Sequence, residues 1–109
     1  MPYATVLTIL VAAAVLEAGG DALVRAGLHS TSAAGRAAFL LAGAGILFAY
    51  GYVVNAPPWD FGRLLGVYVA FFFVIAQAIS WIGFGHKPSA SVILGGAFIV
   101  LGGYIVSRG

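Results

Sequence analysis

The sequence predicts an all-α integral membrane protein, a four-helix transmembrane bundle that uses residues 1–109 as one domain. Three observations carry this. The chain is 62% hydrophobic and only 7% charged, whereas a soluble domain carries about 25% charged residues. Its apolar runs approach or exceed the roughly 20 residues that a helix needs to cross a bilayer. Short polar, glycine-bearing or proline-bearing connections separate those runs, leaving four spans at about 3–28, 33–54, 61–84 and 90–107.

The first span sets the chemistry. From Ala4 to Leu16 it is apolar apart from Thr5 and Thr8. Glu17, Asp21 and Arg25 then follow at intervals of four, so a helix lines them up on one face. At about 1.5 Å rise per residue, Glu17 lies roughly 20 Å along the span, inside the hydrocarbon. Arg25 can snorkel to the far interface. An ionisable group at membrane depth costs roughly 2.5–3.5 kcal/mol or more, which makes Glu17 a functional candidate by default. Gly19-Gly20 lets a backbone or ligand come close, and the polar stretch His29-Ser30-Thr31-Ser32 ends the span.

The second span carries Gly35, Ala38, Ala42, Gly45 and Ala49 at spacings of three and four, a stripe on which another helix can pack. Tyr50 and Tyr52 near its end read as interface anchors. Asn55-Ala56-Pro57-Pro58-Trp59-Asp60 breaks it, because proline lacks a backbone donor and biases the preceding residue away from helix. The third span is rich in aromatics, with Tyr68 near its start, Gln77 midway and Trp81 near its end. After Gly85-His86-Lys87-Pro88 comes the fourth span. Gly95-Gly96 recurs there as Gly102-Gly103, on the same face two turns later, as a helix contact requires.

Charge and composition exclude several classes. The five basic residues are scattered singly, so nothing supports nucleic-acid binding. With no cysteine there is neither a disulfide nor a thiolate site. His29 and His86 lack ligand partners at metal spacing, and Ser80 lacks a base, so no cofactor, metal or enzymatic activity is expected. The N-terminal segment lacks a basic n-region, so the first span is expected to be retained. If the termini share a side, Arg63 and Arg108 face Arg25, Arg36 and Lys87 across the membrane. Two against three gives almost no positive-inside bias. A chain that inserts both ways can form an antiparallel homodimer. The expected location is the cell's inner or plasma membrane.

Glu17 is the candidate proton- and substrate-binding acid; the competing reading is a structural acid paired within the bundle. A bare carboxylate in low dielectric is costly, and either a proton or a substrate cation relieves it. Asp21 reads as a relay acid for Glu17 or as half of an ordinary i,i+4 ion pair with Arg25. Tyr68 can stack on a cation and hydrogen-bond Glu17, or it can belong to the interfacial aromatic belt. Gln77 can bond across helices or line a pathway.

These residues resemble the small multidrug resistance proteins of the drug/metabolite transporter superfamily. The likeness lies in an acid midway along the first of four helices (Glu17), a basic residue eight positions on (Arg25) and a proline-bearing second loop. It extends to Ser80-Trp81-Ile82-Gly83-Phe84-Gly85-His86-Lys87 and to the paired glycines of the fourth span. Gly62-Arg63, Tyr68 and Gly85-His86-Lys87 are also similar to the YnfA-type branch of that group. The resemblance implies an antiparallel homodimer whose two Glu17 carboxylates share one site and bind either protons or a cationic substrate. Tyr68 falls where such transporters place an aromatic of the binding chamber. Three features depart from the family pattern. Asp21 replaces a small polar residue, Ala70-Phe71-Phe72 stands where a glycine-x-glycine kink is usual, and Leu65-Gly66-Val67-Tyr68 replaces the usual tyrosine–alanine–x–tryptophan segment. A proton-coupled exporter of small or lipophilic cations is therefore the leading expectation. The alternatives are a channel-like facilitator and a non-transporting accessory subunit in which Glu17 pairs with another protein.

Overall fold

The computed structural model describes all 109 residues, Met1–Gly109, as four helices. They are α1 (Tyr3–Leu28), α2 (Ala33–Val54), α3 (Phe61–Phe84) and α4 (Ala90–Arg108). All four are long and apolar enough to cross a membrane. Their ends follow from local chemistry. The Ser32 and Ser89 hydroxyls accept from the amides of Gly35 and Val92, satisfying donors that open the first turns of α2 and α4. α3 stops at Gly85, whose left-handed φ of 72° lets the amides of Gly85 and His86 reach the carbonyls of Trp81 and Ser80. α4 continues one residue beyond its expected end, to Arg108.

The helices form an open bundle. α1 packs along α2 and also against α3, while α4 rests on α3 alone, giving the order α2–α1–α3–α4. The molecule measures 48 × 34 × 19 Å. The 34 Å width suits four neighbours at about 8–10 Å spacing laid nearly side by side. Only 16 of 109 residues are buried, so most of the apolar surface faces outward, which a hydrocarbon solvent tolerates.

The core is concentrated in one half. Val6, Leu10, Ala13 and Ala14 of α1 meet Val54 of α2 and Leu64, Val67 and Tyr68 of α3. On the same side the Tyr3 and Trp59 rings lie 5.7 Å apart. There Arg63 lies over Trp59 and donates to the Ser107 carbonyl at 2.7 Å, closing the end of α4. Both chain ends therefore lie on one side of the bundle.

Glycines set the closest approaches, on faces that differ in part from those expected. α1 meets α2 through Gly20 and Gly43. A Cβ at Gly43 would lie 2.7 Å from Val24 Cγ2 and 3.0 Å from the Gly20 carbonyl oxygen. The expected stripe is not the one used, for Ala38, Ala42 and Gly45 point away from α1 and are exposed. α2 is apolar on every side, so its composition orients no particular face inward. In α4, Gly96 and Gly103 press on Phe73 and Ala70 of α3, as a glycine repeat predicts, whereas Gly95 and Gly102 face open space.

Candidate functional site

Glu17 lies just past the midpoint of α1, just beyond the three-helix core, and is half-buried. The Tyr68 hydroxyl of α3 lies 2.7 Å from Glu17 Oε1 and 3.4 Å from the Ala13 carbonyl oxygen. A phenol has one proton to donate, and the shorter distance gives it to the carboxylate. Tyr68 itself is only 4% exposed. It is thus a core residue facing Glu17, not part of an interfacial belt.

Two more rings frame this pair. Tyr50 of α2 lies 5.6 Å from the Tyr68 ring at 34°, and Phe72, one turn along α3, lies 6.1 Å from it at 34°. Tyr50 reads from the sequence as an interface anchor, yet it packs beside the site. The signal for it is topological: an antiparallel α2 brings its last turns back along α1. Aromatic rings beside a carboxylate suit an organic cation, which gains from both.

Beyond Glu17 the two helices separate. A cavity of about 400 Å³ opens between Ala18, Asp21, Ala22 and Arg25 of α1 and Phe72, Ala76, Ile79, Ser80 and Phe84 of α3, with His86 also lining it. Alanines at 18, 22 and 76 leave the space that larger side chains would fill. Asp21 and Arg25 both line it, but no N···O contact within 4.0 Å joins them. The Arg25 guanidinium lies instead 5.9 Å from the centre of the Phe84 ring, against whose other partner, His86, that ring stacks at 6.5 Å. The i,i+4 ion pair that the spacing suggests is therefore not formed.

Gln77 lies elsewhere. It lines a groove between α3 and α4 with Phe73, Val92 and Gly96, away from α1. Of the five residues singled out from the sequence, the structure joins Glu17 to Tyr68 and sets Asp21 and Arg25 in the adjoining cavity; Gln77 belongs to neither group. No three His, Cys, Asp or Glu side chains converge as a metal site would need. No protein-family model, curated protein or solved structure matches the chain.

Proposed function

We propose that this protein is a proton-coupled exporter of small organic cations, with Glu17 shared between proton and substrate. One observation carries the reading: Glu17 sits at membrane depth with Tyr68, a neutral donor, as its side-chain partner. Arg25, eight residues along the same helix, is engaged with Phe84. A carboxylate so placed is satisfied by a proton or by an incoming cation, and the two exclude each other. Exclusion is what couples one flux to the other.

The likeness to small multidrug resistance proteins, carried by Glu17, Arg25, Tyr68 and the glycines of α4, supports an antiparallel homodimer in the cell's inner or plasma membrane. The outward Gly95 and Gly102 and the unpartnered face of α4 offer a close-packing surface for a second copy. The near-even charge of the two ends favours insertion in both orientations. Labelling that finds the C terminus on one side of the membrane only would contradict the antiparallel dimer.

The test is proton release from purified protein on adding tetraalkylammonium, guanidinium and polyamine ions in turn. Release by at least one of them, absent in Glu17→Gln, is the expected result. No release from any ion, with the folded assembly unchanged, would overturn the reading. Tyr68→Phe supplies a graded companion. It removes one hydrogen bond to a charged group, worth about 1.5–3 kcal/mol, and is expected to weaken cation binding about tenfold or more. Binding isotherms for the two proteins check this.

A further inference from the structure

The cavity beside Glu17 carries charges of both signs that the proposed exchange leaves unused. Asp21 and Arg25 lie one helical turn apart on the same wall, within about 5–6 Å between Cβ atoms. Each lacks an ion-pair partner within 4.0 Å. His86 and Ser80 add polar groups to the lining, while Phe72 and Phe84 supply apolar surface. Along α1 the order is Glu17, just outside the cavity, then Asp21 and Arg25 on its wall, with His86 also lining it: negative toward Glu17, positive away from it.

We infer that the exported cation is the ammonium end of a small dipolar ion with an apolar body, its ammonium directed toward Asp21 on the Glu17 side and its carboxylate toward Arg25 and His86. A simple cation would satisfy Asp21 and leave Arg25 facing its like charge; a simple anion would do the reverse. A dipolar ion satisfies both with charge-assisted hydrogen bonds. The guanidinium offers a planar fork matched to a carboxylate, and its position over Phe84 holds it at the cavity wall rather than on Asp21. At about 400 Å³ the space lies within the range of small-molecule pockets and accommodates an amino acid with an aliphatic or aromatic side chain. This inference rests on the exporter reading for its coupling to protons, but its ligand preference is separate and can be measured alone.

The probes are leucine, leucine methyl ester and N-acetyl-leucine, which share a body and carry both charges, the cation alone and the anion alone. Binding to purified wild-type protein is measured by calorimetry, with proton release followed in parallel. Leucine is expected to bind at least about tenfold more tightly than either derivative, the equivalent of one charge-assisted contact. Arg25→Gln is expected to erase the advantage over the ester, and Asp21→Asn the advantage over the acetyl compound. Arg25→Lys, which keeps the charge, should restore part of the first. An ester that binds as tightly as leucine to wild type would overturn the dipolar substrate, and if it also released protons through Glu17 the exporter reading would stand without it. Leucine bound selectively through Arg25 with no Glu17-dependent proton release would support the dipolar site and overturn the coupling. Absence of binding by all three would overturn the dipolar site.

Discussion

Glu17→Gln is expected to abolish gradient-driven transport while leaving the fold intact. The amide keeps the size of the carboxyl and can still accept from the Tyr68 hydroxyl, which lies 2.7 Å from Glu17 Oε1 in the wild type. What it loses is the capacity to exchange a proton for a cation. In proteoliposomes with an acid interior, wild type should accumulate a substrate cation and the variant should match empty vesicles. Glu17→Asp is the informative second substitution. It keeps the charge but shortens the reach by one methylene, so the bond to Tyr68 cannot form at the same backbone position. Transport should survive at a reduced rate. A Glu17→Gln protein that transported at the wild-type rate would remove Glu17 from the mechanism.

The largest structural effect is expected at Gly43. Its added Cβ would meet the Gly20 carbonyl oxygen at 3.0 Å and the Val24 amide nitrogen at 3.2 Å, and neither backbone atom can rotate away as a side chain would. Gly43→Leu must therefore push α2 off α1 along their tightest contact. Overpacking in a close-fitting core typically costs about 1–3 kcal/mol, and a clash with backbone belongs at or beyond the upper end. Gly45, two residues on, has open space at its Cβ, so Gly45→Leu should leave the isolated chain's stability nearly unchanged. Thermal unfolding of the two variants in the same detergent separates them. Equal destabilisation would mean that the α1–α2 interface does not run through Gly43.

The contrast between these glycines shows where the sequence was informative. Helix number and extent are written in hydropathy, since the breaks at Ser32, Asn55 to Asp60 and Gly85 to Ser89 leave little choice of ends. Helix orientation is not. In a soluble protein the polar face of α2 would have identified its inner face, but a chain surrounded by lipid needs no polar face there. The exposed Ala38, Ala42 and Gly45 and the buried Gly43 consequently look alike in composition.

The site was legible in part. Glu17 stands out by the cost of placing an acid at that depth, and its partner Tyr68 was one of two open readings. Pairing Tyr3 with Phe61 as the first residues of parallel α1 and α3 puts Tyr68 level with Leu10. The length of the phenol then carries its hydroxyl on toward Ala13 and Glu17. The sequence does not reveal Tyr50 as a neighbour of the site, because its place depends on how α2 folds back. Asp21 and Arg25 have the spacing of an ion pair, yet the Phe84 ring, 59 positions from Arg25 in the sequence, supplies the guanidinium with another contact. Local spacing could not reveal that competitor. Gln77 lies on the α4-facing side of α3, a distinction of rotation that polarity alone does not encode.

If proton and cation compete for Glu17, cation affinity depends on pH, and measuring that dependence is the most direct test. Protonation removes the charge that binds the cation, so affinity must fall as pH falls. In the acidic limb it should fall about tenfold per pH unit for each proton displaced. At higher pH, once the acid is ionised, affinity should level off. Glu17→Gln should bind weakly at every pH, with no slope. A wild-type affinity that stayed constant across the acidic range, or a slope that survived in Glu17→Gln, would contradict the account.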